Sequence, residues 1–243
     1  MRNVSGGNAA ETRMIRAVQT AVGAIPDGSI GAQTMSDIAV ALGADCFPLG
    51  ISIYGQPCVI ASDVIPISAR GPLSNHSQAI SGSFNDGGAP CSILVANSFI
   101  VCSTSCHYWD DKSPESVLYR DLTGQFGIKR AQTVADLPDG LSWAVGGMGL
   151  LGQYNPAKEG FKGRFSDVLR KTNHTMLGVK NEMVYMVYCS DMTATQVNNF
   201  AAKLGLEMAI MLDGGHLAAI NSESAQINVN QRQIYVIQAV SRQ

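Results

Sequence analysis

From Cys46 onward the chain consists of short apolar segments separated by Gly, Pro, Asn and Ser, and this texture limits the fold more than any other feature. Such segments, bounded by turn residues, are typical of β-strands. The segments predicted to contain strands are GISIYG (50–55), CVIASDVIPIS (58–68), CSILVANSFIVC (91–102), TMLGV (175–179), MVYMVYC (183–189), MAIMLD (208–213) and IYVIQAV (234–240). Because a single strong helix pattern interrupts them, we predict an α+β fold with a mixed β-sheet core and few helices.

That helix pattern lies in the sequence MTATQVNNFAAKLG. Thr193 and Gln196 have the spacing of a capping box, and Gly205 is placed to end the helix. The residues predicted to form its buried stripe are Val197, Phe200, Ala201 and Leu204. The helix is therefore predicted with both of its ends defined.

The predicted helix (195–204) lies between two predicted strands (183–188 and 207–212). This order favours a right-handed crossover between parallel neighbouring strands. In open α/β sheets, ligands bind beyond the carboxyl ends of the strands. The residues that follow the second strand are therefore expected to lie at a site.

Those residues belong to the stretch AIMLDGGHLAAIN, in which a carboxylate ends an apolar run. Residues 209–212 are continuously apolar, as expected of a strand covered on both faces. Asp213 follows, and Gly214 and Gly215 allow backbone N–H groups to approach a ligand closely. An Asp-Gly turn with a solvated carboxylate gives the same local pattern, so the stretch by itself leaves both interpretations open.

The first 43 residues are helical in character. Met14, Val18, Ala21 and Val22 recur at helical spacing before Gly23. A turn at Pro26-Asp27-Gly28 follows, and then a second apolar stripe closed by Gly43. The pattern predicts a small helical hairpin ahead of the β-rich region.

This hairpin resembles the core of the peptidoglycan-binding domain found at the ends of many cell-wall hydrolases. The pattern P-D-G-x-x-G-x-x-T of that domain stands here as Pro26, Asp27, Gly28, Gly31 and Thr34. The resemblance implies peptidoglycan as a partner, whereas the alternative is a hairpin that only packs on the main domain. We predict two domains, a short helical segment (1–45) and a β-rich domain (46–243).

Composition excludes several classes of protein. Hydrophobic residues make up 46% of the 243 residues and charged residues 15%, which allows a substantial core. The formal net charge is −2 and there is no Lys/Arg block, which disfavours nucleic acid as a partner. No apolar run approaches the roughly 18 residues of a membrane helix, so no membrane span is predicted.

The cysteines allow two interpretations. They stand at Cys46, Cys58, Cys91, Cys102, Cys106 and Cys189. Cys102, Cys106 and His107 could form part of a metal site, but only His76 stands upstream as a further candidate and no second Cys/His pair completes the set. Buried thiols are the favoured interpretation, and no metal site is predicted.

The order of motifs from Ala79 to Val240 resembles the phosphodiester glycosidase family, which is related to the enzyme that uncovers mannose 6-phosphate by removing N-acetylglucosamine. The family pattern of R-T-x-x-G, a helix opened by M-T, and L-D-G-G at a strand end matches 174–178, 192–193 and 212–215. The segments AISGSFNDGGAPCSILVANSFIV and WAVGGMGLLGQ look like the N-x-x-F-F stretch and the Gly-Gly segment of the family. The resemblance implies the fold of this family and hydrolysis of a sugar phosphodiester.

Four polar positions depart from the family pattern. His174 stands where the family has arginine, and Ser81 where it has asparagine. Asn85 replaces the second aromatic of the pair, and His216 replaces the Ser or Gly after D-G-G. These side chains are the ones expected to contact the substrate.

Splitting a sugar-1-phosphodiester requires a carboxylate at the oxocarbenium-like anomeric carbon, donors for the phosphate, and an activated water. The residues predicted to be catalytic are Asp213, His174 and Asp86. Those predicted to bind substrate are Gly214, Gly215, His216, Thr175, Ser81, Asn85 and Gly147. His174 and His216 are expected to serve as phosphate donors or proton carriers, and Gly146-Gly147 as a close-approach turn that lines the pocket.

A metal-dependent site is the alternative that His174 and His216 around Asp213 leave open, although isolated histidines are more often structural. Gly146-Gly147 lacks the Lys-Ser/Thr of a P-loop and the spacing of a dinucleotide fold. We therefore predict no cofactor.

The leading hypothesis is a hydrolase that acts on a phosphorylated sugar or a cell-wall glycopolymer, in phage lysis or wall remodelling. The alternatives are a protein that binds a phosphorylated sugar or nucleotide without cutting it, and a structural component of a virion or wall. The start of the chain lacks the apolar core of a signal peptide. We expect the hydrolase in the cell wall, outside the cell after release, or in a virion, and the binding protein in the cytoplasm.

Overall fold

The computed structural model describes residues 9–21, 26, 34, 48–86, 88–105 and 113–240. Within them the α-helices are α1 (Ala9–Ala21) and α2 (Ala194–Leu204). The strands are β1 (Leu49–Ile53), β2 (Gln56–Ala61), β3 (Asp63–Pro72), β4 (Ala79–Ser81), β5 (Asn85–Asp86), β6 (Ala89–Pro90), β7 (Leu94–Ala96), β8 (Phe99–Cys102), β9 (Glu115–Asp121), β10 (Phe126–Ala131), β11 (Leu141–Gly149), β12 (Thr172–Lys180), β13 (Met183–Met192), β14 (Met208–Gly214), β15 (Ile220–Asn221), β16 (Gln226–Ile227) and β17 (Arg232–Val240). The predicted class, β-sheet with few helices, is confirmed.

A ten-stranded sheet forms the centre of the fold. Its strand order is β1-β2-β13-β12-β14-β11-β7-β8, with β9 paired to β11 and β10 paired to β9. A second sheet has five strands in the order β16-β15-β4-β17-β3, and β5 pairs with β6 in a separate ribbon. Every pairing between these strands is antiparallel.

The central sheet is covered on both faces. On β14, Ala209 and Met211 pack in the cluster that includes α2, whereas Ile210 and Leu212 pack in the cluster that includes the five-stranded sheet. All four side chains are fully buried. Two-sided burial explains why this strand is a continuous apolar run, since each large apolar side chain removed from water contributes about 1.5–3 kcal/mol.

The prediction of parallel neighbours on either side of α2 is wrong. β13 and β14 run in the same direction, but β12 lies between them and pairs antiparallel with both. The reason is the tight turn at Asn181-Glu182, where both residues have positive φ (50° and 59°). This turn folds β12 directly onto β13. The helix then carries the chain to the far side of β12.

The ends of α2 are as predicted. The Thr193 side chain accepts from the Gln196 N–H at 3.2 Å, and the Gln196 side chain accepts from the Thr193 N–H at 2.8 Å. Gly205 ends the helix with φ 68°. The predicted stripe is buried against the central sheet.

In the amino-terminal segment, Gln19 of α1 is fully buried, and its Nε2 donates to the Thr34 Oγ1 at 2.9 Å. This bond joins the first helix to the threonine of the P-D-G motif. Val18, predicted in the apolar stripe, is 41% exposed, so the buried side of α1 contains the neighbouring glutamine instead. The second predicted helix lies outside the described residues, and the domain boundary at 45/46 stays a prediction.

Three of the cysteines, Cys58, Cys91 and Cys189, are buried in the apolar cluster under α2, as the thiol interpretation requires. Cys46, Cys106 and His107 lie outside the described residues. Across the described ranges, no group of three or more His, Cys, Asp or Glu is arranged to hold a metal ion. A search of the same ranges finds no helix long and apolar enough to cross a membrane.

Candidate functional site

The pairing of β12 with β14 brings the main predicted site residues together. His174 on β12 lies opposite Gly214 on β14, and Asp213 precedes that glycine. The register of β12 shifts next to His174 in both of its pairings. Such bulges re-aim side chains and are frequent beside active sites. The imidazole and the carboxylate therefore lie at the same end of the central sheet.

The environment of Asp213 is unusual for a carboxylate. Burial raises the pKa of Asp213 to about 6, although the N–H groups of Gly214 and Asn85 and the nearby His216 act in the opposite direction. The Gly214 N–H donates to the Asp213 Oδ1 at 2.8 Å. The like charge of Asp167 raises the pKa further. A carboxylate that titrates near neutrality is typical of active sites.

Burial favours the neutral form of His174. It is 1% exposed, and burial lowers its pKa even though the carbonyls of Arg170 and Met192 favour the protonated ring. Its Nε2 lies 3.3 Å from the Arg170 carbonyl oxygen. Because a carbonyl only accepts, Nε2 carries the hydrogen and Nδ1 is left as an acceptor. No described residue hydrogen-bonds to Nδ1. The Nδ1 lone pair is buried, and the predicted role of His174 as a phosphate donor or proton carrier stays a prediction.

A cavity of about 80 Å³ opens beside Asp213. It is lined by Asp167, Val168, Arg170, Thr172, His174, Asp213, Gly214 and Gly215. Among these lining residues Arg170 is the one Lys or Arg, and the sequence analysis did not identify it. It stands four residues before His174 and outside every motif, so the only local signal was a basic residue just ahead of a predicted strand.

Both predicted glycines line this cavity, for different reasons. A Cβ atom on Gly214 would lie 2.8 Å from both the Asn173 oxygen and the His174 Nδ1, so the imidazole leaves no room for a side chain. The Gly214 N–H already serves Asp213 and is not offered to a ligand. Gly215 has φ 67°, the left-handed conformation that glycine adopts without strain.

Ser81 and Thr175 lie beneath the site. Both are buried, and their hydroxyl oxygens are 3.3 Å apart. The Thr175 Oγ1 also lies 3.3 Å from the Asp213 carbonyl oxygen, and the Ala219 N–H donates to the Ser81 Oγ at 3.1 Å. These bonds tie β4 to β12 and β14 and hold the strand end that carries Asp213. Their predicted contact with substrate stays a prediction.

A second cavity, of about 230 Å³, contains the other predicted carboxylate. Its lining consists of Asn85, Asp86, Gly88, Leu217, Arg232, Gln233 and Ile234. Asp86 is exposed. Asn85 connects this cavity to the site, since its N–H stabilises the Asp213 carboxylate. The Asn85 Oδ1 is buried with no hydrogen-bond partner among the described residues.

The remaining predicted residues lie at different depths. His216 is exposed on the short 3₁₀ turn Gly215–Leu217, close enough to lower the pKa of Asp213. Gly147 lies within β11 and not in a turn, which corrects the predicted turn at Gly146-Gly147. A Cβ atom on Gly147 would lie 2.6 Å from the Met211 oxygen, so this glycine allows β11 to approach β14.

Taken together, the site holds a carboxylate whose pKa burial raises to about 6, an imidazole whose pKa burial lowers, and a cation at the cavity wall. A carboxylate can stabilise a developing positive charge, an arginine can hold a phosphate, and an imidazole can accept a proton from water. The arrangement is suited to breaking a bond between a sugar carbon and a phosphate oxygen.

Comparison with known families gives an independent assignment. The sequence profile of the family described as phosphodiester glycosidase matches residues 74–236. The matched region includes Ser81, Asn85, His174 and Asp213. None of the curated protein sequences matches the chain significantly.

Solved structures share the fold. The catalytic domain of zebrafish N-acetylglucosamine-1-phosphodiester α-N-acetylglucosaminidase, auto-inhibited by its pro-peptide, has a TM-score of 0.57 and 15% identity. The alignment covers 81% of this chain and 82% of that chain. A hypothetical protein from Synechocystis has a TM-score of 0.52 and 12% identity, with 80% of this chain and 61% of that chain covered.

Proposed function

Because the chain belongs to the phosphodiester glycosidase family, we propose that it hydrolyses the bond between the anomeric carbon of a sugar and an oxygen of a phosphodiester. The observation that carries this proposal is the cavity in which the Asp213 carboxylate lies beside the neutral His174 and the Arg170 cation. Each of the three requirements of the reaction has a group in this cavity.

Asp213 is the carboxylate that stabilises or attacks the anomeric carbon. Its pKa of about 6 keeps it ionised at neutral pH while its partial burial strengthens its field. Phosphate is a good leaving group, so the reaction needs no strong general acid. His174 lines the same cavity, and we assign to its imidazole the activation of the water that completes hydrolysis.

The two cavities divide the substrate between them in this proposal. The phosphate lies in the smaller cavity, beside Arg170. The sugar lies in the larger cavity, where the exposed Asp86 carboxylate accepts hydrogen bonds from sugar hydroxyls. The Asn85 N–H at Asp213 makes the two cavities adjacent, so the scissile bond lies at the carboxylate between them.

A cell-wall or surface glycopolymer joined through sugar phosphates is the substrate we propose, in a wall-remodelling or phage-lysis context. The support is the resemblance of the P-D-G segment to a peptidoglycan-binding domain, together with the bond from Gln19 of α1 to Thr34 of that motif. The protein then acts at the cell wall or outside the cell.

The test of the reaction is release of free sugar from a sugar-1-phosphodiester, followed by mass analysis. We expect release by the wild type, at least a 1,000-fold loss in Asp213→Asn, and no loss in Asp139→Asn, a matched change of an exposed loop aspartate. Equal release by the Asp213 and Asp139 variants would remove Asp213 from its role. Tight binding with the ligand returned intact by wild type would make the chain a binding protein.

The test of the wall context is sedimentation of the full-length chain with purified peptidoglycan. Gln19→Leu removes the hydrogen bond to Thr34 and keeps the size of the side chain. We expect weaker sedimentation of this variant with sugar release unchanged. Sedimentation equal to wild type in both the variant and a chain lacking residues 1–45 would overturn the wall-binding role.

A further inference from the structure

The charges around the smaller cavity do not suit a phosphate as they stand. Asp167 and Asp213 place two carboxylates in the lining, against the single cation of Arg170. The Arg170 Nη1 donates to the Asp167 Oδ2 at 2.9 Å, so the guanidinium is already paired with a carboxylate. An anion that binds here must replace that carboxylate.

The ion pair is built so that replacement costs little. The side chains of Arg170 and Asp167 are 55% and 63% exposed, and pairs this accessible to water contribute about 0–1 kcal/mol. Asp167 lies in the last turn of the 3₁₀ helix Gly163–Leu169 and Arg170 caps that helix, so neither residue belongs to a strand.

Arg170 keeps its position when the Asp167 carboxylate leaves. Its Nη1 also donates to the Asp167 carbonyl oxygen at 3.0 Å, and its backbone N–H donates to the same oxygen at 3.1 Å. Its own carbonyl accepts from the His174 ring. The main chain therefore holds the guanidinium, and the remaining donors of its fork stay available to a phosphate.

The other end of the guanidinium is directed at the glycine turn. The Arg170 Nη2 lies 3.6 Å from the position that a Cβ atom on Gly215 would take. Since both residues line the cavity, this nitrogen faces the space next to Asp213.

We propose that Arg170 is the phosphate-binding residue of this site and that Asp167 is a displaceable counter-ion that makes the site hold phosphodiesters and release phosphomonoesters. This inference rests on the proposed function. It assigns to an exposed turn the cation that the family places at the position of His174.

The phosphate gains a negative charge in the reaction, and this change explains how Asp167 could favour release of the product. Water adds its oxygen to the anomeric carbon and releases one proton to solvent, while the bond from that carbon to the phosphate oxygen breaks and its electron pair stays on the phosphate oxygen. The diester has one negative charge, whereas the monoester product loses a second proton with a pKa near 6 and has two. Asp167 and Asp213 repel the doubly charged product more strongly than the singly charged substrate. When the product leaves, the Asp167 carboxylate pairs with Arg170 again.

The test is binding of two probes to the full chain at pH 7.5, inorganic phosphate and the monoanionic diester dimethyl phosphate, measured by calorimetric titration. Asp167→Asn should bind both probes more tightly than wild type, because neither has to displace a carboxylate, and the gain should be about 3–10-fold for phosphate and smaller for the singly charged dimethyl phosphate. Arg170→Gln should weaken binding of both probes 10-fold or more, and Arg170→Lys should recover part of it. Lys171→Gln is the matched control, because that neighbouring cation pairs with Asp191 and lies outside the lining.

Each outcome decides the proposal. Equal affinities in wild type and Arg170→Gln, or equal weakening in Lys171→Gln, would overturn the role of Arg170. No phosphate binding by Asp167→Asn, or the same gain for both probes, would overturn the discrimination by charge. These titrations need no turnover. If the affinities show the expected ratios but no sugar is released, the proposed hydrolysis is wrong and the phosphate-binding role of Arg170 stands.

Discussion

Replacing Asp213 by Asn should abolish the reaction and at the same time stabilise the folded protein at neutral pH. The carboxylate is kept charged at a place where burial disfavours charge, and that conflict raises its pKa from 3.8 to about 6. Each pKa unit corresponds to about 1.4 kcal/mol. The ionised group therefore destabilises the fold by about 3 kcal/mol relative to the unfolded chain.

The sign follows from proton binding. Between pH 3.8 and 6 the folded protein holds a proton at Asp213 that the unfolded chain has released, so stability falls as the pH rises through this interval and levels off above it. Asparagine has no charge to desolvate, and its amide oxygen can accept from the Gly214 N–H as Oδ1 does. We expect a gain of about 1–3 kcal/mol at pH 7.5, which shrinks to about 0.5 kcal/mol near pH 4.

The measurement is urea unfolding of the wild type and of Asp213→Asn at pH 4, 5.5 and 7.5. For a chain of this size a gain of 2 kcal/mol raises the Tm by about 4–8 °C, which calorimetry resolves. A variant that is less stable than wild type at pH 7.5, or a difference that does not change with pH, would refute the reasoning. Either result would mean that the hydrogen bonds to the ionised carboxylate stabilise it by more than burial destabilises it.

Three further outcomes are expected. The kcat/KM for sugar release should rise as the pH passes about 6, because Asp213 must lose its proton to act as a carboxylate; a rate that falls across this interval would identify Asp213 as an acid. Gly214→Ala should reduce sugar release at least 10-fold, because the Cβ atom of the alanine would lie 2.8 Å from the His174 Nδ1 and displace the ring. Nuclear magnetic resonance of the imidazole should detect that displacement. Gly147→Ala should cost about 1–3 kcal/mol in urea unfolding by crowding the Met211 carbonyl, with KM unchanged, whereas a raised KM would indicate contact with substrate.

The parts of the fold that depend on local signals were predictable. The run at 209–212 is apolar at every position because opposite faces of β14 meet different clusters, and the sequence pattern contains that fact. The capping box of α2 and its terminal Gly205 likewise act within a few residues of each other. Strand β14, which contains Asp213 next to its last residue, is predictable for the same reason.

The parts of the fold that depend on which strands pair with each other were not predictable from the sequence. β9 and β10 alternate polar and apolar residues weakly in ESVLYRD and FGIKRA, and their partners decide their structure. The place of β12 between β13 and β14 depends on a tight turn at Asn181-Glu182, which lacks the glycine that usually signals one. Gly147 was assigned to a turn because a glycine pair indicates a bend, whereas here it permits a close approach between strands.

Arg170 could not be found from the sequence because its role depends on the loss of charge at position 174. At 1% exposure an arginine at that position would be a buried cation in need of a counter-ion, and it would compete with the catalytic site for the charge of Asp213. A histidine whose pKa is lowered by burial removes that demand and packs its Nδ1 against Gly214. The cation then has to come from outside the sheet, where water and Asp167 balance it until a substrate arrives. The exchange places the proposed phosphate-binding charge on an exposed turn, while the carboxylate proposed for the chemistry lies near the end of a strand with a buried apolar run.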